Sequence, residues 1–246
     1  MTRRRWIADT WWPATGHPTQ ASLTGEQALH LARVLRAQPG QVFDVVANGF
    51  LHRAEITEVL EAEVRFALLE ELEADVSLPI HLLLAVFKFD HFEWAVEKAT
   101  ELGVSRITPI LARRTEKHLA AAAQKRVERW RRIALEAAKQ SRRTDIPELA
   151  DPIKLDAALK AESAPRCILL SEVEQSVSLR KAIAGRGTEE PIALAIGPEG
   201  GWAPEEMALF TQHGWTHVTL GPRILRAETA AIAALAICGA LAAADD

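Results

Sequence analysis

The sequence predicts an α/β protein in two parts: a small β-barrel with one helix, then a larger domain with a mostly parallel sheet covered on both faces. Residues 41–69 hold β-rich runs broken by the tight Asn48-Gly49 pair, a hairpin signal. Glu70–Ser77 is polar and acidic, as linkers are. From Ile80 onward, short apolar runs alternate with amphipathic stretches, the pattern of strand–helix–strand units. The boundary is placed at 76, giving domains 1–76 and 77–246.

In chain order, Thr24-Gly25-Glu26-Gln27 fits a capping box, with Thr24 as N-cap and Gln27 reaching back. Ala28, Leu31, Val34 and Leu35 then form an apolar face, Arg33 and Arg36 share the other side, and Pro39-Gly40 ends the helix. Gln41–Ala47, Leu51–Leu60 and Val64–Leu69 are expected strands. In the second part the strands are Ile80–Val86, Val104–Leu111, Cys167–Ser171, Pro191–Ile196 and Trp215–Leu220. The helices are His91–Leu102 with Gly103 as its stop, Ala121–Ser141, Pro204–His213, and a final Ala-rich helix from about Ala227.

Net charge is −4, but it is uneven: residues 88–143 carry 14 Lys+Arg against 7 Asp+Glu, while both flanks are acidic. Screening limits the reach of distant acids to about 8 Å, so a basic stripe can attract phosphates on an acidic protein. No apolar run is long enough to span a membrane, and the basic start lacks the apolar core of a secretory signal. Cys167 and Cys238 sit in apolar runs and read as buried hydrophobes in a reducing, cytoplasmic compartment. The eight histidines show no zinc-type spacing, so no metal is expected.

Two loops carry the chemistry. Ile196-Gly197-Pro198-Glu199-Gly200-Gly201 follows a strand and precedes a helix, where ligands bind in open α/β sheets. It matches neither a dinucleotide fingerprint nor a phosphate-binding P-loop. Glu199 there can bind a ribose hydroxyl, hold a basic neighbour, meet a base edge, or sit in a plain turn. Leu220-Gly221-Pro222-Arg223-Ile224-Leu225-Arg226-Ala227-Glu228-Thr229 again joins a strand to a helix. Ile224 and Leu225 can flank a flat ring, and Arg226 can meet a phosphate or a developing charge. Glu228 can act on a proton or simply cap its helix.

Taken together, the two loops resemble those of the SPOUT-class RNA methyltransferases, and most closely the bacterial 16S ribosomal RNA uridine-N3 methyltransferase family. Glu97-Lys98-Ala99-Thr100-Glu101-Leu102-Gly103-Val104 with Ile107-Thr108-Pro109, Gln140-Ser141-Arg142-Arg143 with Ile146-Pro147, and His30-Leu31 with Val34-Leu35-Arg36 extend the resemblance across roughly residues 3–235. Ala227 and Lys139 depart from it, standing where most members carry Thr and an acidic residue.

The resemblance implies a PUA-like β-barrel followed by a SPOUT domain with a C-terminal trefoil knot, acting as a homodimer on 16S rRNA or the small ribosomal subunit. It implies S-adenosylmethionine as donor, held by three loops: Leu170-Ser171-Glu172, Ile196–Gly201, and Leu220-Gly221 with Ile224-Leu225-Arg226. Ile232, Leu235, Ile237 and Leu241 of the final helix are candidates for the dimer surface. The acceptor N3 carries a proton at neutral pH, so Arg226 is expected to stabilise the developing anion, with Glu199 or Glu228 assisting proton removal. RNA contacts are expected from Arg3, Arg4, Arg5, Arg33, Arg36, Lys88, Arg113, Arg114, Arg142 and Arg143, with Trp6 as a stacking surface. A SPOUT methyltransferase of another RNA, a noncatalytic RNA-binding assembly factor and a Rossmann dehydrogenase are the alternatives.

Overall fold

The computed structural model describes residues 5–13, 18–72, 77–141, 143–173, 176–185, 187 and 189–242. Arg3, Arg4, His17, Arg142 and residues 73–76 of the expected linker therefore lie outside the described residues. The chain forms two compact units, Met1–Val76 with Ala138–Asp145, and Ser77–Ala137 with Ile146–Asp246.

The first unit is built on a mixed sheet of β1 (Arg5–Ile7), β2 (Thr10–Trp12), β3 (Gln20–Thr24), β4 (Val42–Ala47), β5 (Phe50–Val59) and β6 (Glu63–Leu72). Its order is β1-β4-β5-β6-β3-β2, with only β1 and β4 parallel. The two ends of that order are one run of chain. Ala8 N–H donates to the Val46 carbonyl at 2.8 Å and Asp9 N–H to that of Ser22 at 2.9 Å, which closes the sheet on itself. Asn48 and Gly49 both take positive φ in the β4–β5 hairpin, as that two-residue turn requires. The strand β6 absorbs Glu70–Leu72, so the expected linker begins later than its composition suggested.

The helix between β3 and β4 departs from expectation. Helix α1 (Gly25–Leu29) runs into a wider turn over His30–Val34, where Leu35 N–H reaches back five residues to the His30 carbonyl. That register adds a residue to the turn and rotates the residues beyond it. Ala28 and Leu31 are buried, but Val34 is 65% and Leu35 49% exposed. No capping box forms. Thr24 gives its N–H and its hydroxyl to Asp9 Oδ2, at 2.6 and 3.0 Å, and the Gln27 amide turns to the Ile7 carbonyl. A carboxylate is the stronger acceptor, so the tertiary contact displaces the local one.

In the second unit, β7 (Leu78–Ala85), β8 (Val104–Leu111), β9 (Glu148–Leu149), β10 (Ile153–Lys154), β11 (Arg166–Leu170), β12 (Ile192–Ile196) and β13 (Thr216–Val218) pair in parallel. Their order is β10-β8-β7-β12-β11-β13, with β9 beside β8. The helices are α2 (Phe89–Glu101), α3 (Lys117–Ser141, whose last residues belong to the first unit), α4 (Leu155–Ala161), α5 (Leu179–Ala182), α6 (Pro204–Gln212) and α7 (Ala227–Ala242). Alternation along β7 divides the core: Leu82 and Leu84 join α2, α3 and α7, while Leu83 and Ala85 join α4 and α6. Both faces are covered, so the strands read as continuous apolar runs. Leu235 lies fully buried in this core, which removes it from the candidate dimer surface.

A half-buried polar chain joins the strands to the end of α4. His81 Nδ1 lies 2.5 Å from Glu162 Oε2, and its Nε2 lies 2.7 Å from the Thr108 hydroxyl. Burial pushes the Glu162 carboxyl up, but hydrogen bonds from His81 and from the Ala164 and Ser163 amides outweigh it and hold it at about 2. A carboxyl held below its unfolded value stabilises the fold above that value. The contribution, on the order of 3 kcal/mol, should drain away as pH falls from about 4.5 towards 2. Denaturant melts across that range should show the loss in the wild type and a flatter curve in Glu162→Gln; equal slopes would contradict this.

Candidate active site

The strand order reverses between β7 and β12. From β7 the chain moves on to β8 on one side; from β12 it moves on to β13 on the other. In a parallel sheet the crevice outside the carboxyl ends of such strands is where ligands bind. The loops after β7, β8, β11, β12 and β13 all open at that edge, because every strand points the same way.

The loop after β12 is shaped by its glycines. Ile196 ends the strand buried. A Cβ on Gly197 would stand 3.1 Å from Nε1 of Trp202, so the buried indole lies flush on the backbone there. Gly201 takes φ +68° and donates its N–H to the Pro198 carbonyl at 2.8 Å, closing a turn that lifts Glu199 and Gly200 to the exposed tip. Arg114, from the loop after β8, donates to the Gly200 carbonyl at 2.6 Å. Glu172, from the loop after β11, has Oε1 3.3 Å from where a Gly201 Cβ would stand. Thus Glu172, Gly200, Gly201 and Arg114 come together from three loops.

Glu206 fixes that assembly, a role the sequence pattern did not reveal. It is 3% exposed, and its two oxygens accept from Ala203 N–H at 2.9 Å and Arg113 N–H at 2.8 Å. One carboxylate therefore caps α6 and ties the β8 loop to the glycine loop. The available signal is the acidic pair after Pro204, which by itself indicates only a helix-dipole preference.

The loop after β13 is laced to the loop after β11. Ser171 N–H donates to the Val218 carbonyl, Leu179 N–H to that of Thr219, and Thr219 N–H to that of Val177, all within 3.0 Å. Leu170 and Ser171 are half-buried beneath this lacing. Gly221 takes φ +121°, Leu220 and Leu225 are half-buried, and Ile224 is 83% exposed. Arg223 and Arg226 are exposed, and Arg226 makes no ion pair among the described residues. Its carbonyl receives the Ala230 N–H at 2.8 Å and starts α7.

Glu228 is no solvent-facing cap. It is 3% exposed, with Oε1 3.2 Å from Nδ1 of His91 in the first turn of α2. Its Oε2 is buried with no hydrogen-bond partner among the described residues. No hydrogen bond or ion pair joins Glu199, Arg226 and Glu228 to one another among the described residues.

The expected RNA-contacting residues separate. Lys88 is exposed at the start of α2, and Arg33, Arg36, Arg113 and Arg114 are exposed, Arg33 and Arg113 each in a loose pair with Glu61 or Glu205. Arg5 is half-buried in β1. Arg143 turns inward instead: its side chain is largely buried, and its Nε and Nη2 donate to the two carboxylate oxygens of Asp145 at 3.1 and 2.7 Å. Much of the α3 stripe is also engaged, Arg129 and Arg126 with Glu93 and Arg131 with Glu128 and Asp151. Trp6 is 1% exposed in the core of the first unit and offers no stacking surface. Its alternation on β1 points it inward, whereas Trp11 and Trp12 on β2 are exposed. Cys238 is buried as expected but Cys167 only half-buried; neither is in a disulfide, and burial together with Glu162 pushes the Cys167 thiol up to about 11.

Among the described residues no helix is long and apolar enough to cross a membrane. Comparison with known proteins gives two matching family models, an RNA methyltransferase domain over residues 74–239 and an RNA methyltransferase PUA domain over residues 23–66. The chain is 35% identical over 223 residues to the ribosomal RNA small subunit methyltransferase E of Synechocystis, covering 89% of this chain and 73% of that one. To its Bacillus subtilis counterpart it is 32% identical over 223 residues, covering 87% of each. The crystal structure of a ribosomal RNA small subunit methyltransferase E from Neisseria gonorrhoeae, bound to S-adenosyl methionine, superposes with a TM-score of 0.81 at 28% identity, covering 98% of each chain.

Proposed function

The chain belongs to the ribosomal RNA small subunit methyltransferase E family, and from that membership we propose that it transfers a methyl group from S-adenosylmethionine to N3 of one uridine in 16S ribosomal RNA. The observation that carries the reading is the convergence of the β11, β12 and β13 loops at the carboxyl edge, beside the reversal of strand order. The residues present fit the donor. Half-buried Leu170, Leu220 and Leu225 give an apolar bed for its adenine, and Gly200, exposed and without a side chain, allows close approach.

S-adenosylmethionine supplies a methyl group already activated on a sulfonium, so no metal is needed. The chain must align the acceptor nitrogen with that group, neutralise the charge that develops on the pyrimidine, and accept a proton. Arg226 is the group for the charge: it is exposed and is not used to hold the fold. Glu228 is the better placed proton acceptor, with one carboxylate oxygen uncommitted. Glu199, at the exposed tip, is assigned to the donor side. N3 lies on the pairing edge of the base, so the target uridine must be unpaired or extruded. Arg33, Arg36, Lys88, Arg113 and Arg114 are left to meet phosphates.

Residues 1–76 are assigned as a PUA-like RNA-binding domain and 77–246 as a SPOUT domain, with the three loops threaded into a trefoil knot. The active form is a cytoplasmic homodimer; α7 carries no charged residue from Thr229 to Ala242, and Thr229, Ala236 and Ala240 are exposed along it. Calorimetric titration tests the donor site. Gly200 has an ordinary φ, and a Cβ there would meet only Arg114 at 3.6 Å, so the fold should accept a large side chain. Gly200→Phe is expected to weaken S-adenosylmethionine binding by about 10-fold or more with an unchanged melting temperature. Undiminished affinity would move the donor elsewhere.

A further inference from the structure

The Glu228 carboxylate poses a problem that family membership leaves open. It is buried, has Oε1 3.2 Å from His91 Nδ1 and Oε2 with no hydrogen-bond partner among the described residues, and sits two residues after Arg226 in the first turn of α7. A buried acceptor without a partner is costly, so the arrangement persists only if something holds the carboxylate and something else completes it. The holder is visible. His91 Nδ1 lies 3.2 Å from Oε1, and the imidazole is about one-third exposed. Among the described residues the carboxylates within 4 Å of its ring nitrogens are Glu228 on α7 and Asp90 on its own helix, the latter 3.8 Å from Nε2. His91 stands three residues past Lys88, in the loop-to-helix junction after β7, one of the two strands bordering the reversal of strand order.

We propose that His91 is a positioning residue for methyl transfer: its Nδ1–H donates to Glu228 Oε1, and the carboxylate so fixed presents Oε2 to the N3–H of the bound uridine. The step balances. The N3–H bond breaks and its proton goes to Glu228 Oε2. The freed electron pair on N3 bonds the methyl carbon, while the sulfur–methyl bond breaks and leaves its pair on sulfur. The proton leaves Glu228 for water when the product departs. The orienting donor takes one oxygen and the substrate the other, which accounts for both oxygens of the buried carboxylate. The assignment rests on the uridine-N3 reading above.

The test is steady-state methyl transfer to small subunits lacking the modification, with His91→Leu, His91→Asn and Glu228→Gln. An Asn amide can replace the Nδ1 donor, so His91→Asn should recover most of the activity, which tells orientation apart from simple packing. His91→Leu should lower kcat by about 10-fold or more with both KM values within about 2-fold of wild type. In the Glu228→Gln background, which alone should cost about 100-fold, His91→Leu should cost nothing further. Wild-type kcat in His91→Leu, an equal loss in His91→Asn, or the same loss repeated in the Glu228→Gln background would each overturn the proposal. If His91→Leu does not fold, His91→Phe, which keeps a flat ring but offers no donor, takes its place in the same comparison and under the same additivity rule. A wild-type chain that binds donor but makes no N3-methyluridine would overturn the underlying function and this role together, whereas an active wild type with an indifferent His91 would overturn this role alone.

Discussion

Arg226→Ala is expected to lower methyl transfer by roughly two to three orders of magnitude, with S-adenosylmethionine affinity within a few-fold of wild type. The reason is that the side chain holds nothing in the fold. Arg226 makes no ion pair among the described residues, and only its backbone carbonyl serves the structure, receiving the Ala230 N–H. Its removal therefore leaves the loop and α7 in place. On the proposed mechanism, the variant loses the positive charge assigned to the nitrogen that becomes anionic as its proton leaves. Arg226→Lys should recover only part of the loss, because a point charge on a flexible stem cannot present two parallel donors. Single-turnover rates with labelled donor, read beside calorimetric affinity, check both statements. A wild-type rate in Arg226→Ala would take the residue out of the mechanism.

Glu206→Ala should have the largest effect on stability of any substitution near the site, and a secondary effect on donor binding. The carboxylate is buried and satisfies two backbone amides, those of Ala203 and Arg113. Each orphaned amide costs about 1–3 kcal/mol, so a loss of roughly 2–6 kcal/mol is expected, or about 5–20 °C in melting temperature. The loss also frees the β8 loop from the glycine loop, so the Arg114 bond to the Gly200 carbonyl should weaken and donor affinity should fall about 10-fold. Glu205→Ala, one residue earlier and exposed, is the control and should change little. Equal melting temperatures for the two variants would contradict the clamp.

The legible parts of the sequence were those where one local rule decides. Asn48-Gly49 dictates its hairpin, apolar runs bounded by breakers give β7, β8, β11 and β12, and Pro204 with Gly214 brackets α6. Both glycine-bearing loops could be placed at strand ends because a parallel sheet forces them there. The features that escaped depend on contacts distant in sequence. Asp9 takes Thr24 away from its cap, and the wide turn over His30–Val34 expels Val34 and Leu35 from the face that periodicity drew. The three-residue β1 is too short for alternation to reveal, so Trp6 read as a surface aromatic when it is core. Arg143 read as an RNA contact because the sequence does not show that its side chain turns to Asp145, two residues on. The role of Glu206 and the pairing of His91 with Glu228 required the fold, since the sequence shows an acidic residue in a helix start but not the donor it meets. The chemistry of the two loops left several ligands open on residues alone; the resemblance across the chain narrowed them.

The most direct test of the central claim is methyl transfer from labelled S-adenosylmethionine to small ribosomal subunits that lack uridine N3 methylation, with the product nucleoside identified by mass spectrometry. The expected result is N3-methyluridine at a single position, lost in Arg226→Ala. Donor binding without transfer to the small subunit would contradict it.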